Sequence, residues 1–137
     1  MKKTALFLIL ALAACNSGDK PVFDEVPLPP KTNWQKTELY FGLNIGDTGR
    51  VDTADFARFI DTAVTRRFPD GFSIIDVRGH WFDASRKVTV KEPTKLLVVI
   101  HEREKGGKAL DEIAEAYKMR FHQQSVLRFD YAGEAKF

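Results

Sequence analysis

From Trp34 onward the apolar residues switch between strand spacing and helix spacing, and this alternation restricts the fold more than any other feature of the chain. Across residues 38–43, apolar and polar positions follow one another with a period of two, which predicts a first strand. Residues 52–67 then carry apolar side chains at helical spacing behind Asp52, a good N-cap. The chain therefore begins its folded part with a strand followed by a helix.

The rest of the chain is predicted to form two further strands, a second helix and a last strand. A hairpin turn is predicted over 83–86, a break at Pro93, and a second helix behind Gly106 and Gly107. The predicted elements are strands over Phe72–Phe82, Val88–Val90 with Leu96–Ile100, and Ser125–Tyr131, and a helix with apolar positions from Leu110 to Phe121.

This order of elements, βαββαβ, favours an α+β ferredoxin-like sandwich. In that fold a four-stranded antiparallel sheet carries two helices on one face, and the first and third strands lie in the middle. A less regular α+β arrangement of the same elements is the alternative.

Residues 1–14 have the layout of a secretion signal, with Lys2 and Lys3 before an apolar run that ends in small residues. The run is shorter than the about 20 apolar residues that a membrane-spanning helix needs. Residues 12–15 resemble the lipobox of bacterial lipoproteins, and Cys15 is the single cysteine of the chain. We therefore expect lipidation at Cys15 and a membrane anchor, with an ordinary signal peptide as the alternative. By the same resemblance, Asn16 favours the outer over the inner membrane of a Gram-negative cell envelope.

The mature chain is expected to be a tether followed by one domain. Residues 15–33 contain the lipidated cysteine and a polar, proline-rich spacer, and residues 34–137 form a single domain. Loss of residues 1–14 removes two lysines from the 21 basic residues and leaves 19, equal to the 19 acidic residues. A formally neutral chain gives no electrostatic reason to expect a nucleic-acid partner.

Several sequence blocks are distinctive in combination: Glu38–Gly42, Val64–Gly71, Gly79–Trp81, Glu92–Lys95 and Tyr117–Phe121 followed by 124–128. Together they resemble the blocks of an uncharacterised bacterial family, domain of unknown function 3574. The resemblance extends from about Trp34 to Asp130 and implies a small exported protein without an established activity. The chain differs from the expected family pattern at Arg66, where we expect proline, and at His80, where we expect glutamine. The second difference argues against a mechanism that requires His80.

The sheet face opposite the helices is predicted to carry the candidate functional residues. Alternation in each strand places an ionisable set there: Glu38, Tyr40, Asp76, Arg78, His80, Lys95, His101 and Arg128. Glu38, Tyr40, Arg78 and His80 are the candidates for acid–base catalysis, and Lys95 and Arg128 are candidates for binding an anionic ligand. A bulge at Gly79 would exchange the faces of His80 and Trp81. A solvated face with cross-strand ion pairs is the competing interpretation.

No motif in the sequence predicts a metal or a cofactor. The histidines His80, His101 and His122 do not occur at the spacing of a metal site on one helical face. The glycines of the first loop do not match a phosphate-binding loop, and no serine lies in a nucleophile elbow.

Two functions remain compatible with these observations. The first is a binding or self-association module, such as a homodimer or a complex with an envelope protein, that uses the open sheet face. The alternative is a small enzyme with an acid–base pocket on that face.

Overall fold

Residues 33–137, the part of the chain that the computed structural model describes, follow the predicted order of strands and helices. Cys15, the predicted signal and the tether before residue 33 lie outside the described residues. The elements are β1 (Trp34–Gly42), β2 (Asn44–Ile45), β3 (Gly49–Arg50), α1 (Thr53–Phe59, continued by a π-helical turn over Ile60–Val64), β4 (Ser73–Asp83), β5 (Val88–Glu102), α2 (Arg103–Phe121) and β6 (Leu127–Gly133).

The main sheet has four antiparallel strands in the order β4-β5-β1-β6, and β2 and β3 form a separate two-stranded ribbon. The first and third long strands, β1 and β5, therefore lie in the centre. The predicted α+β ferredoxin-like fold is confirmed, with α1 and α2 on one face of the sheet.

The core lies between the sheet and the helices and is rich in aromatic rings. The ring of Phe41 on β1 lies 4.5 Å from that of Tyr117 on α2 and 5.8 Å from that of Phe59 on α1. Tyr117 also donates a hydrogen bond of 2.8 Å to the carbonyl oxygen of Gly42. Each fully buried side chain of this size contributes roughly 1.5–3 kcal/mol. The buried apolar residues are Leu39, Phe41, Leu43, Val51, Phe56, Phe59, Val64, Leu97, Val99, Leu110, Ile113, Tyr117 and Phe121.

The predicted break at Pro93 is wrong, because β5 continues through this residue. The Pro93 carbonyl accepts a hydrogen bond from the Leu43 amide, on the side of β1. In an antiparallel strand the N–H and C=O of one residue point toward the same neighbour. The proline nitrogen therefore faces the carbonyl oxygen of Leu43, which accepts a hydrogen bond of 2.8 Å from the Val51 amide instead, so the missing N–H leaves no acceptor without a partner.

The glycine pair predicted to precede the second helix lies inside it. Helix α2 begins at Arg103, so Gly106 and Gly107 belong to its first turns. A Cβ atom at Gly106 would lie 2.1 Å from Nδ1 of His101. Glycine is thus required at this position because the helix packs directly on an imidazole ring of the sheet.

Candidate functional site

A row of three polar side chains lies along β1 on the sheet face opposite the helices, which we call the open face. The hydroxyl of Tyr40 donates a hydrogen bond of 2.7 Å to Oε2 of Glu38, and Nζ of Lys36 lies 3.0 Å from Oε1. Glu38 is buried, with 9% of its surface exposed. Both carboxylate oxygens therefore have a partner, and the three side chains form one neutral unit with the phenol protonated.

The Tyr40 hydroxyl, and next the Lys36 ammonium, hold the pKa of Glu38 below its ordinary value. The hydrogen bond to Glu38 also raises the pKa of the Tyr40 phenol. Near neutral pH, Glu38 is thus an anionic acceptor and Tyr40 a neutral donor. A carboxylate with a lowered pKa stays ionised near neutral pH, so it is suited to stabilising a positive charge, but it is a weak proton acceptor and does not donate a proton.

Apolar side chains surround this row on the open face. Phe129 and Tyr131 of β6 pair across the strands with Glu38 and Lys36, and their rings lie 4.6 Å apart. Nζ of Lys36 lies 4.3 Å from the centre of the Tyr131 ring. Large parts of the apolar side chains are exposed: Ile75 47%, Ile100 57%, Leu127 60%, Phe129 51% and Tyr131 41%.

A groove of about 1000 Å³ continues from Lys36 to one end of the sheet. The loop that precedes β4 contributes Phe72 to its wall, and the central strands contribute Trp34 and Ile100. Tyr131 forms part of the groove wall, and its ring also contacts the Lys36 ammonium. The polar row and the groove are therefore adjacent parts of one surface.

The prediction that Asp76, Arg78 and Lys95 share the open face with Glu38 is wrong. Lys95 pairs across the strands with Phe41, a core residue, and with Asp76. Its ammonium group also lies 5.9 Å above the Phe56 ring of α1, on the helix face. Arg78 lies on the same face by alternation along β4. Asp76, Arg78 and Lys95 line a second groove of about 640 Å³ beside the start of α1.

His80 also lies on the helix side of β4, far along the β4–β5 hairpin, where it pairs with Lys91. The register runs one to one through Gly79, which pairs with Glu92, so the bulge considered at Gly79 is not present. Neither Arg78 nor His80 is therefore on the same face as Glu38 and Tyr40.

His101 and Arg128 lie on the helix face as well, in a polar network that extends from the buried Thr37 and His101 to the exposed Asp130 and Asp111. Nε2 of His101 lies 2.8 Å from Oγ1 of Thr37, which donates a hydrogen bond to Asp130. Arg128 reaches Asp130 at 3.1 Å and connects β6 to α2 through a 2.6 Å ion pair with Asp111. This network connects the edge strand β6 to the helix layer, and His101 also lines the groove beside Lys36.

Three residues of the open face were missed at the sequence level. Lys36 is in phase with Glu38, so the alternation of β1 could have placed it there. The predicted position of Arg128 on the open face implies, by alternation, that Phe129 and Tyr131 face the helices, whereas β6 has the opposite phase. Within residues 33–137, no group of three metal-ligating side chains converges, and no helix is long and apolar enough to cross a membrane.

Solved structures with a similar fold include two of a phage SAM lyase. The complex with S-methyl-5'-thioadenosine is 19% identical, with a TM-score of 0.57, over 72% of this chain and 81% of the lyase chain. The apo enzyme is 18% identical, with a TM-score of 0.55, over 76% of this chain and 85% of the lyase chain. At this identity the likeness shows a shared fold. A comparison with curated proteins finds no significant match.

The sequence profile of one family matches most of the described domain, which agrees with the resemblance seen in its sequence blocks. The match extends over residues 36–137, from the open-face lysine of β1 to the last residue. The chain belongs to the family described as "Protein of unknown function (DUF3574)".

Proposed function

We propose that the domain is a self-association module that pairs with a second copy of itself through the open face. The observation that supports this most is the group of large apolar residues exposed there, among them Ile100, Leu127 and Phe129. Monomeric proteins seldom leave a contiguous apolar patch of more than a few hundred Å² in water. A second copy would cover these side chains.

The size of the patch is compatible with a standard interface. Phe129 and Tyr131 are about half exposed, and aromatic side chains of 150–250 Å² at that exposure offer on the order of 200 Å² together. The exposed parts of Ile75, Ile100 and Leu127 add a comparable area. An interface of about 800 Å² per partner that is a little more than half apolar needs roughly 450 Å² of apolar surface.

The polar row in the centre of the face is also compatible with burial. A charge is costly in an interface when it lacks a partner. Lys36 and Glu38 form an ion pair, and Tyr40 satisfies the second carboxylate oxygen. The row can therefore be covered without leaving a charge unpaired.

The test compares two aromatic residues on opposite faces. Phe129→Asp places a charge in the open face, and Phe82→Asp, at a residue that is 64% exposed on the helix side of the hairpin, is the matched control. A chain starting at Asn16 is suitable, because it keeps every described residue, including the apolar cluster between the sheet and the helices. We expect the wild type and Phe82→Asp to be oligomers, and Phe129→Asp to be a monomer, by light scattering after size exclusion over a concentration series. A wild type that stays monomeric at the highest concentration would contradict the proposal.

We further propose that this assembly takes place at a membrane of the cell envelope, through lipids on Cys15. The lipobox-like residues 12–15 and the single cysteine support this. Cys15→Ser should abolish the incorporation of labelled palmitate and release the chain from the membrane fraction. In a Gram-negative host, Asn16→Asp should move the chain from the outer to the inner membrane. Palmitate incorporation that survives Cys15→Ser would refute the anchor.

A second candidate function is a small-molecule site on the open face, either for binding or for an acid–base reaction. Two observations favour it: the Glu38–Tyr40 pair beside a groove, and the fold shared with a phage SAM lyase, one structure of which holds S-methyl-5'-thioadenosine. Such a site would use Glu38 and Tyr40 without Arg78 or His80, which lie on the other face.

Calorimetry with S-methyl-5'-thioadenosine and chromatographic assay of SAM consumption test this second candidate. Binding or turnover that is lost in Glu38→Gln and kept in the control Asp76→Asn, on the helix face, would support it. The absence of both binding and turnover in the wild type would count against this ligand class.

A further inference from the structure

Beside Glu38, the open face already holds a cation against an aromatic ring. The Lys36 ammonium lies 3.0 Å from Oε1 of Glu38 and 4.3 Å from the centre of the Tyr131 ring. A carboxylate and an aromatic face that both contact one positive charge are the two elements from which proteins build sites for organic cations. A positive charge is therefore favoured between the Glu38 carboxylate and the Tyr131 ring, whether a lysine or a ligand carries it.

Glu38 is held in place by a second contact, whereas the Lys36 side chain is partly exposed. Tyr40 fixes the carboxylate of Glu38 by its hydrogen bond to Oε2 and leaves Oε1 for the cation. Glu38 is buried at the floor between β5 and β6, while 42% of the Lys36 side chain is exposed. Because the lysine side chain is partly in water, its ammonium can return to solvent when another cation takes its place beside Oε1.

The groove beside Lys36 offers room for the rest of a ligand. It is lined next to the ammonium by Tyr131 and Ile100, and further along by Trp34 and Phe72. These walls are mostly apolar and aromatic. A molecule whose charged end replaced the Lys36 ammonium would thus place an apolar or aromatic body in the groove.

We infer that Glu38 and Tyr131 form a binding site for an organic cation, a sulfonium or quaternary ammonium group with an apolar body, which displaces the Lys36 ammonium when it binds. Such cations are more weakly hydrated than an ammonium group on a lysine side chain, which is a compact and strongly hydrated charge. They therefore lose less on leaving water and gain more from the Tyr131 ring. This inference rests on the second candidate function and specifies its ligand class.

The experiment uses two probes of the same shape that differ in charge, the trimethyl(4-hydroxyphenyl)ammonium ion and 4-tert-butylphenol. Their dissociation constants are measured by NMR titration of the chain starting at Asn16. A cation–π contact combined with a carboxylate favours the charged probe by about tenfold. Lys36→Met should strengthen binding of the charged probe several-fold and leave the neutral probe unchanged. Lys91→Met, which removes a lysine from the helix face of β5, is the control for the change in net charge.

Glu38→Gln should abolish the preference for the charged probe while the neutral probe still binds. Tyr131→Leu is the second variant, in case the first is poorly folded, and should reduce the same preference without touching the carboxylate. Equal dissociation constants for both probes in the wild type and in Lys36→Met would overturn the inference but leave a small-molecule site in the groove. If neither probe binds at millimolar concentration, the small-molecule site itself is refuted together with the inference.

Discussion

At the residue scale, α2 approaches the sheet closely where Gly106 meets His101. Nδ1 of His101 donates a hydrogen bond to the carbonyl oxygen of Glu102, and Nε2 is hydrogen-bonded to Oγ1 of Thr37, so the imidazole cannot move aside freely. The backbone of α2 lies directly on this ring because Gly106 has no side chain.

Replacement of Gly106 by alanine should therefore destabilise the domain. The added methyl group would meet Nδ1 of His101 at 2.1 Å, and overpacking of this kind costs about 1–3 kcal/mol. Gly107→Ala is the matched control, since nothing lies within 4 Å of a Cβ there, and in a helix alanine is favoured over glycine by about 1 kcal/mol. Urea unfolding should give a lower free energy for the first variant and an unchanged or higher one for the second. Equal effects would show that the His101 contact is not tight.

The Glu38 carboxylate should make the stability of the domain depend on pH. Its hydrogen bond from Tyr40 and its ion pair with Lys36 hold the folded-state pKa of Glu38 below the ordinary 4.5. The resulting stabilisation is complete above that value and is lost as the pH falls through the folded-state pKa.

We expect the free energy of unfolding to decrease more steeply in the wild type than in Glu38→Gln between about pH 6 and about pH 3. Urea titrations at constant ionic strength measure this difference. Asp61→Asn, at an exposed position of the π-helical turn, should follow the wild-type curve. If Glu38→Gln also follows it, Glu38 does not contribute to acid sensitivity.

At the scale of elements, α1 depends on its N-terminal cap. Oδ1 of Asp52 accepts a hydrogen bond of 2.8 Å from the amide of Asp55. The helix has only seven residues before its π-helical continuation, so few internal hydrogen bonds support it. Its remaining stability comes from Phe56 and Phe59, which are buried against the sheet.

Asp52→Ala should lower the free energy of unfolding by about 1 kcal/mol, the usual effect of losing such a cap. Asp52→Asn keeps an oxygen acceptor and should restore most of the loss. Chemical denaturation of the three proteins makes the comparison. An asparagine variant as unstable as the alanine variant would mean that the charge, and not the cap geometry, supports α1.

The spacing of apolar residues was sufficient to predict the type and order of the long elements, but not the phase of the central strand β5 or of the edge strands β4 and β6. In β1 the apolar positions Leu39 and Phe41 face the helices, as alternation predicts. In β6 the polar Arg128 and Asp130 face them instead, because their partners Asp111 and Thr37 lie on that side. These partners are far away in sequence, so no local pattern could show that the apolar side of β6 faces outward.

At the scale of the whole molecule, the sheet of the described domain has two apolar faces, and the described helices cover one of them. The helix face holds the buried apolar cluster, including Leu97 with no exposed surface, whereas Leu127 on the open face is 60% exposed. The open face therefore contributes little to the folding of a single copy. In the proposed assembly, a second copy of the domain would cover this apolar surface.

A matched pair of leucine substitutions separates these two roles. Leu97→Ala should lower the free energy of unfolding by about 2–5 kcal/mol, because it leaves a cavity in the core. Leu127→Ala should change the unfolding of the dilute protein by less than about 0.5 kcal/mol but weaken self-association. Urea unfolding and sedimentation equilibrium of both variants provide the two measurements. If Leu127→Ala leaves the association constant unchanged, the outer edge of the open face near the start of β6 lies outside the interface, and the contact must be sought nearer Ile75 and Ile100.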